Sequence, residues 1–264
     1  MTTPPLNTAP PSFRLDDRLI VVTGSAEGIG RAFAEGFAQS GAHVVLASRR
    51  REKLEEVQQA ITTRGGRADV VQTDLTRLAD IAALGAVVRK LAQGNERRIV
   101  LVNNAGYGFT KAAIEVTEAD WNSVFDVHVK GAFFCAQQLA PLMIERGYGK
   151  IINMSSTWSA LTDVGKSAYC AAKAAVSHLT AQLATEWASA GIRVNAIAPG
   201  TTMTEFVQKA AAANPARYEK LLGKIKLGRY ETPADLLGAA IFLASGASDF
   251  VTGQTLYVDG GVTC

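Results

Sequence analysis

Val22-Thr23-Gly24-Ser25-Ala26-Glu27-Gly28-Ile29-Gly30 joins a short β-branched run to an Ala-rich segment with helical spacing, and the reading of this junction decides the fold. Glycine tolerates positive φ and lets another group approach the backbone closely, so such a turn can present bare amides and a helix N-terminus to an anion such as a pyrophosphate. The spacing T-G-x-x-x-G-x-G differs from G-x-G-x-x-G. Three glycines also suit a plain tight turn from strand to helix, so the neighbouring segments must decide between the two.

Working outward, short apolar runs recur at residues 19–23, 43–48, 68–73, 99–103, 150–154, 193–198 and 255–258. Between them lie stretches with apolar residues three to four apart, at 29–40, 52–64, 78–93, 118–143, 168–189 and 234–244. Runs such as Ile20-Val21-Val22 and Val44-Val45-Leu46 lack polar alternation, as strands buried on both faces do. The alternation predicts an α/β fold of Rossmann type: a doubly wound parallel sheet of about seven strands with helices on both faces. Ligands of such sheets bind beyond the carboxyl ends of the strands. No repeat or linker interrupts residues 14–264, which read as one catalytic domain. Residues 1–13, with four prolines and no basic region followed by an apolar stretch, read as a mobile tail rather than a signal peptide.

Composition removes several function classes. The 264 residues are 48% hydrophobic and carry a formal charge of only +3, and the basic residues are scattered with no run longer than Arg49-Arg50-Arg51, which speaks against nucleic acid. No apolar run approaches the ~18 residues of a membrane span. Cys135, Cys170 and Cys264 show no C-x-x-C spacing and are odd in number, fitting reduced thiols in a soluble cytoplasmic protein. His43, His128 and His178 are far apart and no metal-binding spacing occurs, so no metal is expected.

The residues after each strand carry ordered motifs. Asp74-Leu75 follows the third run, Asn103-Asn104-Ala105-Gly106 the fourth, and Pro199-Gly200 with Thr202 and Thr204 the sixth; Tyr257-Val258-Asp259-Gly260-Gly261 closes the chain. Together with the glycine turn, this series resembles the short-chain dehydrogenase/reductase family, in its compact single-domain branch, from about Leu15 to Gly261. The resemblance implies that Gly24, Ser25, Glu27, Gly28, Ile29 and Gly30 cradle the cofactor pyrophosphate. It also implies that Asp74 and Leu75 meet the adenine, that Asn104, Ala105 and Gly106 line the cleft, and that Pro199, Gly200, Thr202 and Thr204 close on the nicotinamide amide.

Tyr169 and Lys173, four apart on a helical stretch, share a face. A phenol titrates near pH 10, and a neighbouring ammonium is expected to bring that value down and let Tyr169 exchange a proton with an alcohol. Ser156 ends the fifth strand run. By the resemblance, Ser156 bonds the substrate oxygen, Tyr169 moves its proton and Lys173 also grips the nicotinamide ribose, while Ser155 is structural. The implied reaction is hydride transfer between nicotinamide and a ketone or secondary alcohol.

An NAD-selecting carboxylate stands about 20 residues beyond the glycine turn in related folds, where it accepts from the ribose 2′-hydroxyl. Here Ser48 occupies that slot and Arg49 and Arg50 follow, a pattern suited to a 2′-phosphate, so NADP(H) is expected over NAD(H), with NAD(H) possible. Glu27 works against this by repelling the phosphate. Tyr107, Phe109, Trp158 and Phe206 are candidates for an apolar substrate wall, and residues 203–226, read as helical, for a lid. The segment Trp121 to Gly131 resembles the family stretch W-x-x-x-x-x-x-N-x-x-G, whose asparagine supports a water serving the lysine. His128 stands in that slot, and its protonation near pH 6.5 is expected to switch the role off. Family resemblance further implies a homo-oligomer, a tetramer pairing through residues 118–143, 168–189 and the last strand. Alternatives are an NAD-linked polyol or sugar-acid dehydrogenase, a 3-ketoacyl thioester reductase, and a nucleotide-sensing protein on the same fold.

Overall fold

The computed structural model describes residues 11–264, so most of the tail expected over 1–13 lies outside the described residues. Seven strands, β1 (Arg18–Thr23), β2 (His43–Ser48), β3 (Arg67–Gln72), β4 (Arg98–Asn103), β5 (Gly149–Met154), β6 (Ile192–Pro199) and β7 (Thr255–Val258), form one parallel sheet in the order β3-β2-β1-β4-β5-β6-β7. The chain winds one way from β1 to β3 and then returns to start β4 on the other side. The two halves therefore diverge between β1 and β4, and a crevice opens at their carboxyl ends.

Both faces of the sheet are covered. On one, Ile20, Val22, Val44 and Leu46 pack under α1 (Gly28–Gln39), α2 (Arg51–Thr63) and α9 (Pro233–Ala244), whose Phe33, Phe37, Leu54, Val57 and Leu236 are buried. On the other, Leu19, Val21, Leu101 and Ile151 pack under α3 (Leu78–Ala92), α5 (Ala132–Glu145) and α6 (Ser167–Trp187) through Leu84, Val88, Leu139, Met143 and Leu183. Successive strand residues point to opposite layers, and each layer is apolar; this is why the runs show no polar alternation.

Two expected helices are broken. The stretch 118–143 comprises α4 (Glu118–Phe125), a π-helical turn over Asp126–Gly131, and α5. The wider turn leaves His128 buried, and its ring lies 5.5 Å from that of Tyr169. The stretch 203–226 is divided into α7 (Glu205–Ala213) and α8 (Pro215–Leu222), because Pro215 has no amide with which to continue α7. The Asn214 side chain accepts from the Arg217 amide and restarts the helix.

Phe33 and Phe37, with ring centroids 5.8 Å apart, fill the space between the sheet and α9. Phe33→Ala is expected to lower the unfolding free energy by about 3–5 kcal/mol. Urea titration checks this, and a loss under about 1 kcal/mol would show that the site collapses without a cavity.

Candidate active site

The glycine turn is held at the β1/β4 divergence by one threonine. Thr23 Oγ1 donates to Val102 O at 3.3 Å and accepts from the amides of Asn104 and Ala105 at 3.0 and 3.1 Å. In return the Asn104 side-chain amide donates to Thr23 O (2.9 Å) and Gly24 O (3.2 Å). Gly24 and Gly28 have φ of +66° and +57°, and a Cβ on Gly24 would come within 2.7 Å of Ala105 Cα. Glu27 precedes α1 without a side-chain cap, so the first-turn amides of Gly28, Ile29 and Gly30 have no intrahelical partner and face an anion's position. The Ser25 hydroxyl is buried beside them with no partner among the described residues. A backbone cradle that side chains would fill, with free amides at a helix N-terminus, fits a dinucleotide pyrophosphate.

Beyond β2, Arg50 forms an ion pair with Glu27 at 2.7 Å, both side chains more than half exposed. Glu27 thus neutralises one of the two arginines instead of merely opposing a phosphate. Arg49 has no salt bridge among the described residues, and the Ser48 hydroxyl accepts from the Arg50 amide at 3.4 Å. Asp74 accepts from the amide and hydroxyl of Thr76, which holds its carboxyl below the usual range, and Leu75 is buried against the helix layer.

At the end of β5, Ser156 starts a 3₁₀ turn over Thr157–Ser159, its hydroxyl accepting from the Trp158 amide at 3.2 Å. Ser155 is bound to Ser177 at 2.6 Å, leaving Ser156 as the serine that faces Tyr169. Lys173 is buried, its Nζ donating to Met154 O at 2.6 Å and lying 5.6 Å from the Tyr169 ring. The expected acidified phenol is not what this geometry produces. Burial pushes Tyr169 up to about 12, opposed by the Ser156 hydroxyl, and brings Lys173 down to about 7. Both groups are desolvated, and neither charged form is favoured.

His128 Nε2 lies 3.1 Å from the Tyr107 amide and 2.7 Å from the Tyr107 carbonyl, while Nδ1 is buried without a partner among the described residues. Burial and the nearby Lys173 ammonium bring its pKa down to about 3. The expected protonation near pH 6.5 is therefore corrected: the imidazole stays neutral across the working range.

Of the four aromatic candidates, only Trp158 lines the cavity of about 210 Å³ beside Ser156. Tyr107 and Phe206 are exposed, and Phe206 sits on α7. The cavity is roofed by Leu221 and Lys224 from α8 and its end, with Thr157, Thr162 and Thr201 among its walls. An ion pair of 2.6 Å between Arg217 and Asp163 ties α8 to the residues after β5. Two residues escaped the sequence reading. Lys224 gave no signal beyond lying in the lid stretch. Glu231 is buried, pairs with Thr202 in a parallel bridge, accepts from its hydroxyl, and is pushed up to about 7 by burial and by Asp235 and Asp259.

Comparison with known proteins gives consistent results. The family model described as enoyl-(acyl carrier protein) reductase matches residues 24–263. A galactitol 2-dehydrogenase of Rhizobium johnstonii is 39% identical over 96% of this chain and 97% of its own. A gluconate 5-dehydrogenase of Gluconobacter oxydans is 37% identical over 96% and 98%. The crystal structure of a gluconate 5-dehydrogenase from Burkholderia cenocepacia, in complex with NADP and tartrate, superposes with a TM-score of 0.88 at 39% identity, covering 95% of this chain and 97% of that one.

Glu231 yields a pH prediction. Its folded pKa is raised, so the folded protein keeps a proton that the unfolded chain loses, and this stabilisation fades as pH rises from about 4.5 to about 7. Glu231→Gln is expected to remove that slope and to be more stable than the wild type at pH 8 by about 1–3 kcal/mol. Urea unfolding of both proteins from pH 5 to 8 checks this. Parallel profiles would contradict it.

Proposed function

The chain belongs to the short-chain dehydrogenase/reductase family, an oxidoreductase family acting on CH–OH groups with NAD(P), and from that premise we propose that it interconverts a ketone and a secondary alcohol with NADP(H). One observation carries the reading: Ser156, Tyr169 and Lys173 converge beside the β1/β4 crevice, next to a cavity of small-molecule size. The nucleotide-sensing alternative gives no reason for this convergence.

A bound nicotinamide supplies or accepts the hydride; the protein handles the oxygen and its proton. The amides of Gly28, Ile29 and Gly30 hold the pyrophosphate. Arg49, the arginine without an ion pair, holds the 2′-phosphate, joined by Arg50 where it exchanges Glu27 for the phosphate, with Ser48 in place of the carboxylate that would repel it. Asp74, Leu75, Asn104, Ala105 and Gly106 line the adenosine and ribose side, and Pro199, Gly200, Thr202 and Thr204 cover the nicotinamide. Ser156 donates to the substrate oxygen as negative charge develops on it. Tyr169, neutral at physiological pH, is in the form that donates a proton to a carbonyl. The buried ammonium of Lys173 favours the phenolate left behind and binds the ribose hydroxyls. His128, neutral and with Nδ1 free, supports the proton path behind Lys173.

The relatives' names bring the polyol and sugar-acid alternative close. It is supported by the hydroxyls of Thr157, Thr162 and Thr201 around the cavity. The protein works as a homo-oligomer, a tetramer by family resemblance. The edge strand β7, with Leu256 and Tyr257 exposed beside a fully exposed Phe250, provides an apolar surface for a second copy. The three unpaired cysteines suit the reducing cytoplasm, and among the described residues no helix is long and apolar enough to cross a membrane.

Tyr169→Phe is expected to cut kcat by at least about a hundredfold while NADPH affinity changes less than about threefold, because only the proton-exchanging hydroxyl is lost. His128→Ala is expected to cost about tenfold in kcat and His128→Asn much less. The wild type is expected to show higher kcat/KM with NADPH than with NADH. Near-normal turnover in the Tyr169 variant, or a clear NADH preference, contradicts the corresponding part of the reading.

A further inference from the structure

The cavity beside Ser156 has an electrostatic character that hydride transfer alone does not require. Lys224 lines it, yet its ammonium makes neither a salt bridge nor a hydrogen bond among the described residues. Of the long cations near it in sequence, Arg217 pairs with Asp163 at 2.6 Å, Lys209 with Glu205 at 2.7 Å and Arg229 with Asp235 at 2.6 Å, whereas Lys220 and Lys226 have no ion pair among the described residues but do not line the cavity. The hydroxyls of Thr157, Thr162 and Thr201 likewise make no side-chain hydrogen bond there, and Thr157 is 3% exposed. No carboxylate lines the cavity. One unpaired, solvent-exposed cation and three unengaged hydroxyls thus meet at a single partly open pocket, with Trp158 and Leu221 as apolar walls.

We propose that this cavity is a carboxylate subsite, in which Lys224 holds the acid group of a small polyhydroxy acid whose reacting carbon lies at Ser156. The inference rests on the oxidoreductase reading above and names its substrate class. A cation with no partner in the protein gains from an anion that brings its own charge. The threonine hydroxyls can each donate and accept, which matches a chain of alcohol groups. The volume of about 210 Å³ lies below the ~300 Å³ at which drug-sized sites begin, so the part of the ligand held here is small. Lys224 sits just beyond the last turn of α8, which Arg217 and Asp163 clamp to the residues after β5, so its backbone is held at the cavity rim.

The test compares D-gluconate and L-threonate with the uncharged D-glucitol and L-threitol, as NADP+-linked substrates of wild type, Lys224→Met and Lys224→Arg. The wild type is expected to prefer the acids. Lys224→Met is expected to lower the acid-to-alditol ratio of kcat/KM about tenfold or more, through KM for the acids, with Lys224→Arg retaining most of it. The acid KM of the wild type rises with ionic strength and that of Lys224→Met does so much less. Equal losses on acids and alditols, or a wild type indifferent to the charge, overturn the subsite. Calorimetry on Tyr169→Phe with NADP+ separates the two levels of the argument. Lys224-dependent binding of the acids without turnover of any compound in the wild type keeps the subsite and refutes the oxidoreductase reading. Turnover of the alditols without Lys224-dependent acid binding keeps the oxidoreductase and refutes the subsite.

Discussion

The hydroxyl of Thr23 is the point on which the site depends. It spends its one donor on Val102 O and its two acceptor positions on the amides of Asn104 and Ala105, at the place where β1 and β4 part. A buried amide left without a partner costs about 1–3 kcal/mol; the Asn104 amide shares its hydrogen between Thr23 Oγ1 and Val102 O at 3.0 Å, whereas the Ala105 amide has Thr23 Oγ1 as its acceptor. The Asn104 side chain closes the arrangement from the opposite side through Thr23 O and Gly24 O. The glycine turn and the loop after β4 consequently form one unit. Any movement of that unit also moves Gly106 and Tyr107, against which His128 is packed.

Burial sets the chemistry that this scaffold can perform. Tyr169 is pushed up, Lys173 and His128 are brought down, and in each case desolvation is the largest cause. Three titratable groups lie near one another: Tyr169 and His128 are held uncharged at neutral pH, while Lys173 is brought to where its ammonium and free amine are both populated. A neutral phenol suits proton donation to a carbonyl. Removing a proton from an alcohol demands more of the site, because the phenolate has to be formed beside Lys173 at the expense of that desolvation.

Much of this was legible in the residues. Each apolar run forms a strand with ends shifted by at most a residue or so, because strands buried on both faces leave an unbroken apolar signature. The glycine turn and the Tyr169–Lys173 spacing could be located because both are local. What escaped depends on tertiary environment. The π turn over Asp126–Gly131 arises within a helical pattern that looks continuous, whereas the break at Pro215 had a visible cause that the Ala-rich periodicity concealed. Periodicity cannot report desolvation, so the direction of the Tyr169 shift ran opposite to the expectation from its neighbouring lysine. Lys224 and Glu231 acquire their roles from elements distant in sequence: one faces the residues after β5 and β6, the other pairs with Thr202. Phe206, a candidate for the substrate wall by its position after β6, stands exposed on α7.

The claim that the cofactor cleft is prebuilt by the Thr23 pin is tested most directly by the NADPH affinity of Thr23→Val, which preserves side-chain shape and removes the oxygen. Fluorescence titration is expected to show a dissociation constant about tenfold higher than the wild type, with cooperative unfolding retained, since a tenfold change corresponds to 1.4 kcal/mol and the Ala105 amide loses its acceptor while that of Asn104 keeps only Val102 O. An unchanged dissociation constant in a folded variant would mean that the turn holds its shape without Thr23, and the account of the site would be wrong at its base.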